Sequence, residues 1–289
     1  MTLAHVHPGG APGPTAVEWF SVAAALSAAV AYLVAAGRLR RRGDVWPRWR
    51  DGAFTAGGAA VAWAAVGGPP AEPFTAHMVQ HLAVGMVAPL LLVLARPLTL
   101  TLRALAPGAA RRGLLVLAHS RPVGLLLCPP VAALLDAGGM WLLYRTGLFA
   151  SARRQPVTHA LVHVHLLTAG LLFTFAVCQL DPVRRRWGLA VRGAVLLAVG
   201  AAHGVLARTL YAVPPPGTAF SAADLHAGAQ WMYYGGDVVE AALAMVLGAG
   251  WYASRGRARP RRRGGGGRPA PGGRAAREPR AAGVSRPAG

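Results

Sequence analysis

Residues 77–97 read HMVQHLAVGMVAPLLLVLARP, and after two early histidines no ionisable group appears before Arg96. An apolar run of this length is what a helix needs to cross the hydrocarbon of a bilayer, roughly 20 residues. Comparable runs cover 17–37, 53–68, 123–143, 157–178, 193–212 and 229–252, with this one placed at 76–97. The expected fold class is therefore all-α, a polytopic transmembrane helical bundle of about seven spans. The second run is short and rich in Gly and Ala, and Cys128-Pro129-Pro130 interrupts the fourth, so six spans remains open.

Charge confirms that the chain is segregated. It is 54% hydrophobic with mean hydropathy +0.39, yet its formal net charge is +20. Every basic residue is Arg, and 26 of the 30 fall at 38–50, 96–121, 184–192 and beyond residue 254, on alternate sides of the expected bundle. Only Arg145, Arg153 and Arg154 occupy the opposite connections, and Arg208 lies inside a span. Cytoplasmic loops carry the excess of Arg and Lys. The expected orientation in the cell membrane is thus N-terminus outside and C-terminus cytoplasmic. Three regions follow: a short extracytoplasmic N-terminus at 1–16, a membrane domain at 17–253, and a tail at 254–289. The tail is Arg, Gly, Pro and Ala, too poor in large apolar groups to offset the entropy of ordering. It reads as disordered and cytoplasmic, an anchor against anionic lipid of the bilayer, with no nucleic-acid partner. MTLAHVHPGG has no basic n-region, so a cleavable signal peptide is not expected. Cys128 and Cys178 lie on separate spans outside any CxxC pair and read as packing residues.

An ionisable side chain inside hydrocarbon is costly and marks a functional site by default. With the orientation above, these groups gather in the outer halves of the spans. His77 and His81 open the third span, Asp136 lies in the fourth, His159, His163 and His165 open the fifth, and His203 lies in the sixth. The seventh begins LHAGAQWMYYGGDVVE, placing His226, Gln230, Asp237 and Glu240 along one helix. At about 100° per residue, positions four apart share a face. His77 with His81, and His159 with His163, form such pairs, whereas His165 points about 200° away from His163. His226, Gln230, Asp237 and Glu240 fall on one stripe expected to face the interior. Two imidazoles one turn apart can share a metal ion. His77, His81, His159, His163 and His203 are accordingly the candidate metal ligands, with Met78 and Met86 nearby as soft thioethers suited to Cu(I). HMVQH differs from the zinc-protease pattern HExxH, having Met78 where that pattern has its catalytic Glu, so hydrolysis by that route lacks a base.

The run HMVQHLAVGMVAPLLLVLARPLTLTLRAL resembles the signature of the polytopic CtaG-type cytochrome c oxidase assembly proteins. His77, His81, Gly85-Met86, Ala88-Pro89-Leu90 and Pro97-Leu98-Thr99 match it position by position. His159-Ala160-Leu161-Val162-His163, Gly170 to Phe173 and Asp181-Pro182 resemble the family's second paired-His span, and Ala202-His203-Gly204 with Leu210 its sixth. One block departs: only Asp224 and Gly228 carry over where many members have Asp-Gln-Gln before Gly. The resemblance covers roughly residues 17–252. It implies a non-enzymatic membrane protein that matures a haem-copper oxidase, handling a copper ion for it, with oxidase subunits or other copper carriers as partners.

In that reading Asp136, Asp224 and Asp237 would orient the imidazoles from outside the ligand set, and His226 is an accessory group on its own chemistry alone. A haem-binding membrane cytochrome with one axial His from each of two spans is a different class. An ion or proton transporter using His203, Arg208, Asp237 and Glu240 is a third, and the apolar cytoplasmic halves of the spans speak against it.

Overall fold

The computed structural model describes residues 16–182 and 184–258, and no strand occurs among them. In chain order the helices are α1 (Ala16–Arg41), α2 (Arg48–Ala65) and α3 (Pro73–Leu82), a π-helical turn (Ala83–Val87), α4 (Ala88–Leu94), α5 (Pro97–Ala104), α6 (Ala109–Ala118), α7 (Arg121–Leu126), α8 (Pro129–Arg145), α9 (Leu148–Arg154), α10 (Pro156–Cys178), α11 (Leu189–Ala212) and α12 (Ala222–Ala258). Prolines sit in the first turns of α3, α5, α8 and α10, where the absent N–H leaves no helical partner unpaired. The Cys128-Pro129-Pro130 interruption is such a start: α7 ends before it and α8 begins on Pro129.

Helix covers most of each of the seven expected runs. Length and composition qualify four segments to cross a membrane: Glu18–Arg41, Pro73–Ala104, Pro156–Cys178 and Leu189–Ala212. The others fall short for readable reasons. The first turn of α2 carries Arg48, Arg50 and Asp51, α8 is 17 residues long, and α12 holds Asp237 and Glu240 in mid-helix. Leu134, Leu161, Leu197, Val238 and Met245 are all exposed, a distribution suited to lipid rather than water.

Two apolar cores are stacked along the bundle. One joins Phe74, Tyr144, Phe149, Leu206 and Met232, and the other joins Leu90, Phe173, Val177, Val199 and Leu243. A third, around Tyr32, Leu39, Trp46 and Leu100, fixes α1 and α2 against α5. Here the Tyr32 hydroxyl donates to the Ala95 carbonyl at 2.8 Å.

The π-helical turn has a local cause. Pro89 lacks the N–H that would pair with the Gly85 carbonyl, and freed carbonyls of this kind accompany helix distortions. At this level α10 comes so close that a Cβ at Gly170 would overlap the Gly85 carbonyl, so glycine is required there. Further along, Pro97 disfavours the α region for its predecessor. Arg96 takes φ 53, ψ 58, and the chain turns from α4 into α5.

Distant carboxylates cap two helix starts. Asp224 accepts from Phe74 N at 2.9 Å, Thr75 N at 2.8 Å and the Thr75 hydroxyl at 2.7 Å. Asp181 accepts from Thr99 N at 2.9 Å and from the Thr99 hydroxyl. Burial pushes the Asp181 carboxyl above its ordinary range, while these hydrogen bonds oppose the rise. Each sequence is Pro-x-Thr, and in each the capping group comes from another helix or its end.

The chain divides into one unit, Met1–Trp251, and a second from Tyr252 onward. The N-terminal region expected at 1–16 lies outside the described residues apart from Ala16, which is helical. Of the tail expected from 254, residues through Ala258 continue α12, and the rest lies outside the described residues.

Candidate functional site

His81 is the centre of the site. It projects from α3 one residue before that helix ends and is 2% exposed, between the two stacked cores. Both of its ring nitrogens are buried without a hydrogen-bond partner. Facing it from α11 is His203, also 2% exposed, with ring centroids 6.2 Å apart. His203 Nδ1 lies 3.4 Å from Glu240 Oε1 of α12, and neither His203 Nε2 nor Glu240 Oε1 has a hydrogen-bond partner. Gly236 makes room for this ring, since a Cβ there would collide with it.

A cavity of about 20 Å³ lies between these groups, lined by His81, Met86, Asp136, Met140, His203 and Glu240 with Thr174 and apolar neighbours. Unpaired buried polar atoms cost roughly 1–3 kcal/mol each, so their concentration here needs a compensating occupant or function. The space is about that of a single water-sized sphere, far too small for a porphyrin between His81 and His203.

His77, one turn earlier, is half-buried and differently engaged. Its Nε2 lies 3.0 Å from the hydroxyl of Tyr144, a fully buried residue of α8. On α10, His159 and His163 form a ring pair with centroids 4.4 Å apart. They line a separate pocket of about 340 Å³ with Glu18, Ser21 and Arg153, while His159 also lines a smaller one beside His77. The five expected ligands are therefore divided between an inner pair, His81 and His203, and an outer pair, His159 and His163, with His77 on Tyr144. Among the described residues no three His, Cys, Asp or Glu side chains are grouped as a metal site. His165 is on another face of α10, packed against Gly139 of α8.

The carboxylates divide too. Asp136 lines the inner cavity as expected of a residue on that level. Asp224 forms no hydrogen bond to an imidazole among the described residues; it caps the helix that carries His77 and His81. Asp237 is exposed on α12 rather than turned inward, and Gln230 is exposed with it. His226 stacks on Tyr211, centroids 4.0 Å apart and planes at 8°, away from the other histidines. The expected polar stripe of α12 spans too wide an arc: Glu240 reaches His203 while Asp237 falls on the outer side.

Sequence reasoning missed Met140 and Tyr144. With Asp136 they form a line at four-residue intervals along α8, one face of a helix. That spacing was the available signal, hidden because Met and Tyr look like ordinary apolar filling.

A helical membrane bundle with paired histidines buried between its cores is the class of protein these features define. The chain belongs to the cytochrome c oxidase caa3 assembly factor family, whose pattern matches residues 30–254. It is 35% identical over 190 residues to uncharacterized proteins of Mycobacterium bovis and Mycobacterium tuberculosis, and 32% identical over 208 residues to one of Mycobacterium leprae. These alignments cover 63% of this chain for the first two and 66% for the third, but only 29% and 31% of the relatives, so the chain spans under a third of their length. No solved structure matches.

Proposed function

We propose that this chain is a non-enzymatic assembly factor for a haem-copper cytochrome c oxidase, and that its cargo is copper, held at His81 and His203 near the outer face. Family membership supports the oxidase as client. The observation that carries the copper reading is His81, buried with both ring nitrogens unpaired and facing a second histidine that has an unpaired nitrogen of its own. Neutral imidazole is a metal ligand, and the thioethers of Met86 and Met140 in the same lining are the soft donors that favour Cu(I). Asp136 and Glu240 bring carboxylates to the cavity edge, where they can orient the imidazoles.

In this reading the outer pair, His159 and His163, receives copper from outside or from a carrier, with His77 between the two pairs along the bundle. Seven spans with the N-terminus outside place both pairs toward the outer face. The test is complementation. In cells lacking the native protein, His81→Ala and His203→Ala fail to restore oxidase activity although their membrane levels equal wild type. Full restoration by both variants would end the reading.

A further inference from the structure

Another pocket lies at the other end of α10. This helix has 23 residues, about 35 Å at 1.5 Å per residue, with His159 and His163 near its start and Ala176 in its last turn. Around that last turn a pocket of about 480 Å³ is lined by Arg121, Arg184 and Arg185, by Trp187 and Gln179, and by an apolar side that includes Leu125, Leu127 and Ala176. The lining contains no carboxylate, and none of its three Arg forms an ion pair among the described residues. The Arg185 guanidinium lies 4.2 Å from the centre of the Trp187 ring, and the Trp187 backbone N–H donates to Gln179 Oε1 at 3.1 Å, so the segment carrying two of the cations is tied to the end of α10.

We propose that this pocket binds an anionic phospholipid of the leaflet opposite the histidine pairs. Three guanidiniums with no counter-charge match a phosphate diester, which Arg recognises through paired N–H donors. The leucines beside them suit the upper acyl chain, and Trp belongs at the level of the headgroups. Basic pockets between helices are a known form of lipid headgroup site. A solely topological role for Arg would need neither a concave pocket nor its apolar side.

The experiment uses the full chain purified in mild detergent, with bound lipid quantified by mass spectrometry. It compares wild type, Arg121→Gln/Arg184→Gln/Arg185→Gln, the matching triple Lys variant, and Arg111→Gln/Arg112→Gln as a control for basic charge on α6. The triple Gln variant is expected to lose co-purified phosphatidylglycerol or cardiolipin about tenfold or more, while the Lys variant and the α6 control retain it. Phosphatidylglycerol added to delipidated wild type is expected to raise its melting temperature, with phosphatidylcholine and inorganic phosphate inactive. Equal lipid retention by the triple Gln variant overturns the proposal, as does equal stabilisation by phosphatidylcholine or by inorganic phosphate. Folding of the Gln variant is checked by its helical circular dichroism. If it is misfolded, the Lys variant and the added-lipid arm decide alone.

Discussion

Thr75 and Thr99 are the third residues of Pro-x-Thr sequences, and each offers an N–H and a hydroxyl to one aspartate. The two prolines could be read in the sequence as helix starts. Their capping partners, Asp224 and Asp181, are 149 and 82 residues further along, and pairing at that distance depends on which helices are neighbours. Asp224 was legible as important and not as a cap. Its role follows from geometry: removing it leaves the Phe74 and Thr75 N–H groups buried without an acceptor. Asp224→Ala is expected to destabilise the protein by about 1–3 kcal/mol. Asp224→Asn, which keeps an acceptor oxygen, should cost less. Thermal unfolding in detergent compares them, and an Asn variant as unstable as Ala would mean that charge rather than hydrogen bonding holds the cap. The same dependence on neighbours hid the inner site. His81 and His203 were each visible as intramembrane histidines, but i, i+4 spacing favoured partners on the same helix, and the ring facing His81 comes from α11.

At the scale of elements, the third span is legible as one apolar run and is physically three pieces. Pro89 opens the helix at Gly85, Arg96 turns it, and α5 begins on Pro97. Pro was visible, but a proline inside a membrane helix gives a kink in one chain and a π-helical turn in another, depending on what meets the freed carbonyl. Here Gly170 meets it. Restoring the missing donor with Pro89→Ala allows a regular helix, which rotates His81 relative to α4. The expected result is a membrane-inserted protein with reduced copper retention and reduced oxidase maturation. Metal content and oxidase activity, normalised to membrane level, measure this, and unchanged values for both would show that the π-helical turn does not set the position of His81. Asp237 illustrates the opposite limit. Helical angles placed it within the arc of Glu240, but a few tens of degrees separate an interior position from an exposed one, and α12 is rotated so that only Glu240 reaches the cavity.

For the whole molecule, hydropathy found where every long helix lies, because burial in lipid leaves its mark on each residue of a span. It did not find how the spans are shared between membrane and aqueous boundary, since α2 and α12 carry charged residues within their length and α8 is short. The Arg distribution predicts the outcome: reporter fusions at Pro73 and Ser254 should read outside and cytoplasmic. An external reading at Ser254 contradicts seven spans in this orientation. The curated relatives are more than three times as long as the segments they share with this chain, so the helical body is a part that recurs in larger proteins. The proposed function puts copper between His81 and His203. The direct measurement is the copper content of the detergent-purified protein after Cu(I) loading, for wild type, His81→Ala, His203→Ala and His165→Ala. Wild type and His165→Ala are expected to retain the same copper, and His81→Ala and His203→Ala to lose the tightly held ion while remaining folded. Retention of that ion by His81→Ala and His203→Ala, or its loss only in His165→Ala, would contradict the account.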